Sequence, residues 1–261
     1  MAFYMFDVDG VLTDENARPD HDAVKLVEDV AKDGHILSFI TGRSREWLSE
    51  NLFPLFNKEL DWSSLYCVAE HGAIKGRGTD ISTWKLDDNF VVADDVKASL
   101  YDVSKQPEFN DLIEWDHTKE SMGTVEAVHG EPGDREHLQN TRKALKEYAS
   151  NIEAISEESG NKTVVSTYGV DVIHPDLSKK IGAEWIIQEI SDEEINEVFV
   201  FGDSSGDMIM AVTAREKKLQ DITFHWVGEG SAPEEDRIKS VSSSASFSSG
   251  TKELLEKHTR S

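Results

Sequence analysis

The 261-residue sequence predicts an α/β protein built on a parallel sheet, with a second, α+β module inserted into it. Three observations lead there. Short apolar runs alternate with helix-periodic segments in the first third of the chain. From about Trp84 to Ile173 the alternation gives way to paired strand-like runs, and after that it resumes.

The elements follow in order. "FYMF" (3 to 6) is an apolar run that predicts a buried strand, and "DHDAVKLVEDVAKDG" carries Val24, Val27 and Val30 at helical spacing before stopping at Gly34. "HILSFI", the helix-like "SREWLSENLFPLF" and "SLYCVA" continue the crossover pattern of a parallel sheet. The middle predicts a helix in "VVADDVKASLYDVS", strands in "LIEWDHT" and "GTVEAVH", a helix in "DREHLQNTRKALKEYASN", and strands in "IEAISEES", "KTVVSTY" and "VDVIHP". After "VIHPDLS" come a helix "KKIGAEWIIQEI", a strand "EVFVFGD", a helix "GDMIMAVTAREKK" and a strand "ITFHWVG". The serine-rich "SVSSSASFSSG" holds Val241, Ala245 and Phe247, which predicts an edge strand and loop, and "TKELLEKH" predicts a last helix. These limits place a core domain at 1–82 and 175–261 and the inserted domain at 83–174.

Composition narrows the function. A net charge of −24, from 51 acidic against 27 basic residues, repels nucleic acid and anionic lipid, so neither is expected as a partner. An anionic substrate would then need a local positive site. No apolar run reaches the roughly 18 residues of a membrane span, and no basic stretch precedes a signal-like core, so a cytoplasmic address is expected. The one cysteine, Cys67, lies in the apolar "LYCVA" and reads as a buried structural thiol.

Three separate apolar runs end in a reactive polar group: "FYMF" in Asp7 and Asp9, "HILSFI" in Thr41, and "EVFVF" in Asp203, with Asp207 four residues on. In an open parallel sheet the ligand crevice lies outside the carboxyl ends of the strands, where groups distant in sequence converge. Asp7 and Asp9, two residues apart on an extended chain, point to one side. Joined there by Asp203, they carry more negative charge than a poorly solvated site supports without a cation. Hard oxygen donors with room for water suit Mg²⁺. Gly10 lets backbone N–H groups approach an anion, Thr41 and Gly42 offer a hydroxyl and further donors, and Lys179 supplies positive charge, with Lys180 as its alternative.

"FDVDGVLTD", "FITGRS", "SKKIGAEW" and "FGDSSGDMIM" together resemble the four ordered motifs of the haloacid dehalogenase superfamily of phosphotransferases. The resemblance implies a Rossmann-like core and makes Asp7 the nucleophile that forms an aspartyl-phosphate. Asp9 would protonate the leaving alcohol and then activate water. Thr41 and Lys179 would hold phosphoryl oxygens. Asp7, the backbone carbonyl of Asp9, and Asp203 would bind Mg²⁺, with Asp207 orienting a metal-bound water or Lys179. Gly206 departs from the pattern, since many relatives with a large inserted cap have Asn there.

The insertion resembles the large α/β cap of the sugar-phosphate branch, and "AEHGA" (69 to 73) is most similar to trehalose-6-phosphate phosphatases. The function implied is hydrolysis of a small phosphorylated sugar by a monomer or weak dimer. A phosphomannomutase-like isomerase and a non-catalytic phosphosugar sensor are the competing readings, although "TGRS" leans towards the phosphatases. Arg43, Glu70 and His71 border the predicted crevice as sugar contacts, and a hairpin with Glu114, His117 and Lys119 is the insertion's candidate binding element.

Overall fold

The computed structural model describes residues 1–128, 130 and 134–259. The chain divides into two compact units, Met1–Lys85 with Ser178–Ser261 and Leu86–Leu177. The crossings thus fall at 85/86 and 177/178, not at 82/83 and 174/175. His129, the last residue of the strand-like "GTVEAVH", lies outside the described residues.

The first unit opens with β1 (Ala2–Phe6), α1 (His21–Lys32), β2 (Ile36–Ile40), a helical stretch that begins as α2 (Arg45–Trp47) and continues through a π-helical Leu48–Leu52 and a 3-10 turn Phe53–Leu55, then β3 (Leu65–Ala69) and β4 (Ile74–Arg77), with the short β5 (Lys85–Leu86) at the crossing. The second unit contains α3 (Asp94–Ser104), β6 (Ile113–Trp115), β7 (Gly123–Ala127), α4 (Arg135–Glu158), β8 (Lys162–Val165) and β9 (Gly169–Ile173). The chain returns through α5 (Lys179–Glu189), β10 (Glu197–Gly202), α6 (Met208–Glu216), β11 (Ile222–Trp226), β12 (Lys239–Ser242) and α7 (Phe247–Thr259).

The first unit's sheet has the order β12-β11-β10-β1-β2-β3-β4-β5. Its strands from β12 to β3 are parallel, and β4 pairs with β3 antiparallel. Both faces are buried, which is why the central strands read as unbroken apolar runs. Phe3, Met5, Val198, Val200 and Phe224 pack on one face against Ala183 and Ile186 of α5, Ile190 just after it, and Met210, Ala211 and Ala214 of α6. On the other face a ladder of rings crosses the strands, with centroids 6.2 Å apart from Phe39 to Phe6, 4.8 Å from Phe6 to Phe201 and 4.5 Å from Phe201 to His225. Cys67 is fully buried there in β3, and burial pushes its thiol pKa well up, as a structural thiol requires.

The second unit is an antiparallel sheet of order β6-β7-β9-β8. Val125, Val170 and Val172 form its core with Leu100 of α3 and Leu145, Tyr148 and Ile152 of α4.

Three sequence expectations change. "IEAISEES" is the last part of α4 and not a strand: Tyr148, Ile152 and Ser156 are buried at a spacing of four, and nothing breaks the helix before Gly160, whose φ is 71°. β4 and β5 extend the sheet, β4 where Gly76 masks the strand pattern and β5 over two residues only, too short to show one. Gly76 is required because a side chain there would collide with the Trp84 ring. The closing helix begins at Phe247, inside the serine-rich piece, whose start forms β12. Among the described residues no helix is long and apolar enough to cross a membrane.

Candidate functional site

Parallel register brings the reactive positions together. Phe6 pairs with Phe39 on one side and Phe201 on the other, so the chains leave the sheet at neighbouring points as Asp7, Thr41 and Asp203. Asp7 extends the ladder by one bond, its N–H donating to Phe201 O at 3.1 Å. Thr41 does the same to Val68 O at 3.0 Å.

Asp7 is buried, with Oδ1 accepting from Val8 N–H at 2.7 Å and Oδ2 2.8 Å from Lys179 Nζ. Lys179 is the first residue of α5, and its ammonium also lies 2.5 Å from Asp207 Oδ1. The other Asp207 oxygen accepts from Asp203 N–H at 3.1 Å, Ser204 N–H at 2.9 Å and Ser204 Oγ–H at 2.8 Å. Asp207 therefore ties the β10–α6 turn to Lys179. Lys180 instead points outward and pairs with Glu216 at 2.8 Å, so of the two lysines it is Lys179 that lies among the carboxylates.

Oxygen atoms of Asp7, Asp203 and Asp207 all lie within 4.8 Å of one another. Burial raises the Asp7 pKa well above the carboxylate range; Lys179 opposes the shift, and the other three aspartates add to it. Burial, then the charge of Asp207, pushes Asp203 up to about 7. Burial disfavours the Lys179 ammonium, but Asp207 and Asp7 more than offset it and hold its pKa above the usual lysine value. One ammonium among these carboxylates leaves an excess of negative charge, and the donors are all hard oxygens. The set fits a hard divalent cation.

Asp9 stands apart from this cluster: its carboxylate is gripped by Arg43, with Nε 3.0 and 2.9 Å from the two oxygens and Nη2 2.8 Å from Oδ1. Its place in the predicted metal set was through its backbone carbonyl only. Arg43 is buried, so it does not lie open to a sugar as the sequence suggested. Gly10 has a φ of 69°, and its N–H donates to Thr13 Oγ1 at 2.8 Å. It contributes room, since a Cβ there would fall on the Asp203 carboxylate.

Glu70 and His71 both adopt left-handed backbone, with φ of 49° and 55°. This turn sends Glu70 N–H to Arg43 O and His71 N–H to Thr41 O, each at 3.0 Å, and so brackets the loop that carries Thr41 and Gly42. The His71 ring packs over Gly42, where no side chain would fit. Thr41 is fully buried, and its Oγ1 accepts from Arg43 N–H at 3.1 Å. Lys119 belongs to the second unit, where its side chain is buried 3.8 Å from Asp116 Oδ2. Gly206 is exposed in the turn before α6, where a Cβ would meet only Ser204 Oγ, at an ordinary 3.5 Å.

Sequence reasoning missed Ser204, although its spacing before Asp207 is that of a reciprocal cap, which the structure forms. It also missed Trp47, whose ring lies under the Arg43 guanidinium at 4.6 Å.

The parallel sheet thus carries a carboxylate cluster and a buried lysine at its carboxyl edge. The fold is that of the haloacid dehalogenase-like hydrolases. One such hydrolase from Bacteroides thetaiotaomicron matches over 98% of this chain and 99% of its own, with a TM-score of 0.62 and 14% identity. Trehalose-6-phosphate phosphatase from Aspergillus fumigatus matches over 100% and 93%, with a TM-score of 0.56 and 17% identity. Sucrose-phosphatase from Synechocystis sp., solved with sucrose and phosphate, matches over 99% and 97%, with a TM-score of 0.55 and 14% identity. No protein-family profile and no curated protein sequence matches the chain.

Proposed function

We propose that this chain is a Mg²⁺-dependent phosphatase of the haloacid dehalogenase superfamily, acting in the cytoplasm on a small phosphorylated sugar or related phosphate monoester. The observation that carries the reading is the cluster of Asp7, Asp203 and Asp207 bridged by Lys179 at 2.8 and 2.5 Å. Two fold neighbours named for sugar-phosphate hydrolysis support the substrate class.

Asp7 is the nucleophile in this reading. A carboxylate oxygen attacks phosphorus, the ester P–O bond breaks, and the leaving oxygen takes a proton from Asp9. Water then attacks the aspartyl-phosphate, losing a proton to Asp9, and inorganic phosphate departs with Asp7 restored. The Thr41 hydroxyl and the Lys179 ammonium hold phosphoryl oxygens, an arrangement in which catalysis is mostly positioning and charge stabilisation. Asp7, the Asp9 carbonyl and Asp203 would hold Mg²⁺, which would neutralise the carboxylates and polarise the phosphoryl group.

A panel of phosphorylated sugars assayed with Mg²⁺ and with chelator tests this reading. Phosphate release is expected with Mg²⁺ only, and Asp7→Asn is expected to abolish it while the circular dichroism spectrum stays unchanged. Turnover by Asp7→Asn would end the nucleophile assignment, and isomer interconversion without phosphate release would mark a mutase.

A further inference from the structure

We propose that Arg43 is a positioning residue that fixes the Asp9 carboxylate for proton transfer to the leaving oxygen, an inference that rests on the phosphatase reading above. Arg43 presents the rigid Nε/Nη2 fork that matches a carboxylate in its plane, with three contacts of 2.8 to 3.0 Å to Asp9. The arginine side chain is 5% exposed and that of Asp9 is 23% exposed, so the fork approaches from the protein side and leaves Asp9 open towards solvent. Each carboxylate oxygen has two lone pairs. Two of the three contacts fall on Oδ1 and one on Oδ2, which leaves a lone pair of Oδ2 to carry the proton that Asp9 delivers to the leaving oxygen.

The guanidinium is itself held in place. Ser44 caps α2, its Oγ accepting from Trp47 N–H at 3.0 Å, and this sets the indole under the guanidinium at 4.6 Å. The Arg43 backbone is pinned on both sides, N–H to Thr41 Oγ1 at 3.1 Å and C=O from Glu70 N–H at 3.0 Å. Glu70 reaches the Arg43 carbonyl, and His71 the neighbouring Thr41 carbonyl, from left-handed conformations that a residue with a side chain rarely adopts. An arginine that gripped substrate would need its fork free for phosphate or hydroxyl oxygens. Here the fork is committed to Asp9, and Arg43 exchanges no proton: the proton that reaches the leaving oxygen comes from Asp9.

The test compares two esters on wild type, Arg43→Gln and Arg43→Lys. One is p-nitrophenyl phosphate, whose leaving group departs without a proton; the other is the sugar phosphate hydrolysed best in the panel, whose alkoxide needs one. kcat/KM reports the steps through departure of that group. Arg43→Gln is expected to lower kcat/KM on the sugar phosphate by about 10²-fold and on p-nitrophenyl phosphate by less than about threefold. Arg43→Lys, which keeps the charge but lacks the fork, shows the same contrast and serves if the glutamine variant does not fold. Added guanidinium restores part of the sugar-phosphate rate to Arg43→Ala. Equal loss on both esters, or a rise in KM with kcat unchanged, overturns the assignment and leaves a substrate contact or a structural role. If wild type hydrolyses no phosphate ester at all, the phosphatase reading fails first, and this inference goes with it.

Discussion

Lys179 and Asp7 form a buried ion pair at 2.8 Å, and the same ammonium reaches Asp207 at 2.5 Å. The lysine is thus a bridge between carboxylates that otherwise face each other out of water. Removing one partner of such a pair leaves buried charge without compensation and costs about 3–5 kcal/mol. Lys179→Met is therefore expected to lower the urea midpoint sharply as well as to stop turnover. Lys180→Met, which loses only an exposed pair with Glu216, leaves both nearly unchanged. Equal effects of the two substitutions in urea denaturation would remove the bridge from the account.

Much of this arrangement is legible in the sequence because parallel register is simple. Once "FYMF", "HILSFI" and "EVFVF" are adjacent parallel strands, the residues after them must share an edge, so Asp7, Thr41 and Asp203 follow from strand ends alone. Side-chain partners are harder to read. Nothing in "TGRS" says whether Arg43 points to solvent or to Asp9, because that depends on the Ser44 cap, the Trp47 ring and the turn at Glu70, which lies 27 residues further on. The error at "IEAISEES" has another cause. Ile152 and Ala154 flank Glu153 in a stretch too short to show that Leu145 and Tyr148 already set a helical face.

Cation binding can be read without turnover. A ligand that binds only the folded state adds about 2.7 kcal/mol at 100 times its dissociation constant, so Mg²⁺ should raise the thermal midpoint of the wild type. Asp203→Asn should abolish most of that rise. Without Mg²⁺ the same substitution should not destabilise the chain, because it removes one of three clustered carboxylates. Scanning calorimetry of both chains, with Mg²⁺ and with chelator, checks the three statements. A full Mg²⁺ shift in Asp203→Asn would exclude Asp203 as a ligand.

Gly10→Ala tests whether room beside Asp203 matters. The backbone there has a φ of 69°, which costs an alanine roughly 1–2 kcal/mol, and the new methyl group would fall on the Asp203 carboxylate. The variant is expected to lose at least that much stability in urea and, in addition, its thermal response to Mg²⁺. Retention of the response would show that Asp203 can move aside without consequence.

Acid sensitivity should arise on the face of the sheet that α7 covers, beside the ring ladder. His225 of β11 is buried under Phe199 and Phe201, neither ring nitrogen has a hydrogen-bond partner, and the His258 ring of α7 stands 5.0 Å away. Burial lowers the His225 pKa from 6.5 to about 3, with His258, Lys239 and Lys257 adding to the shift. The folded value lies below the unfolded one, so above about pH 6.5 neither state holds the proton and His225 has no effect on the pH dependence. Below it the unfolded chain binds a proton that the folded chain refuses, and stability falls progressively down to about pH 3. Between pH 7.5 and 5 this one group should remove roughly 2 kcal/mol. His225→Phe, which keeps a ring against Phe201 and has no nitrogen to leave unpaired, should match or exceed the wild type at pH 7.5 and lose less on acidification. Urea denaturation of both chains at the two pH values gives the comparison, and parallel losses would place the acid sensitivity elsewhere.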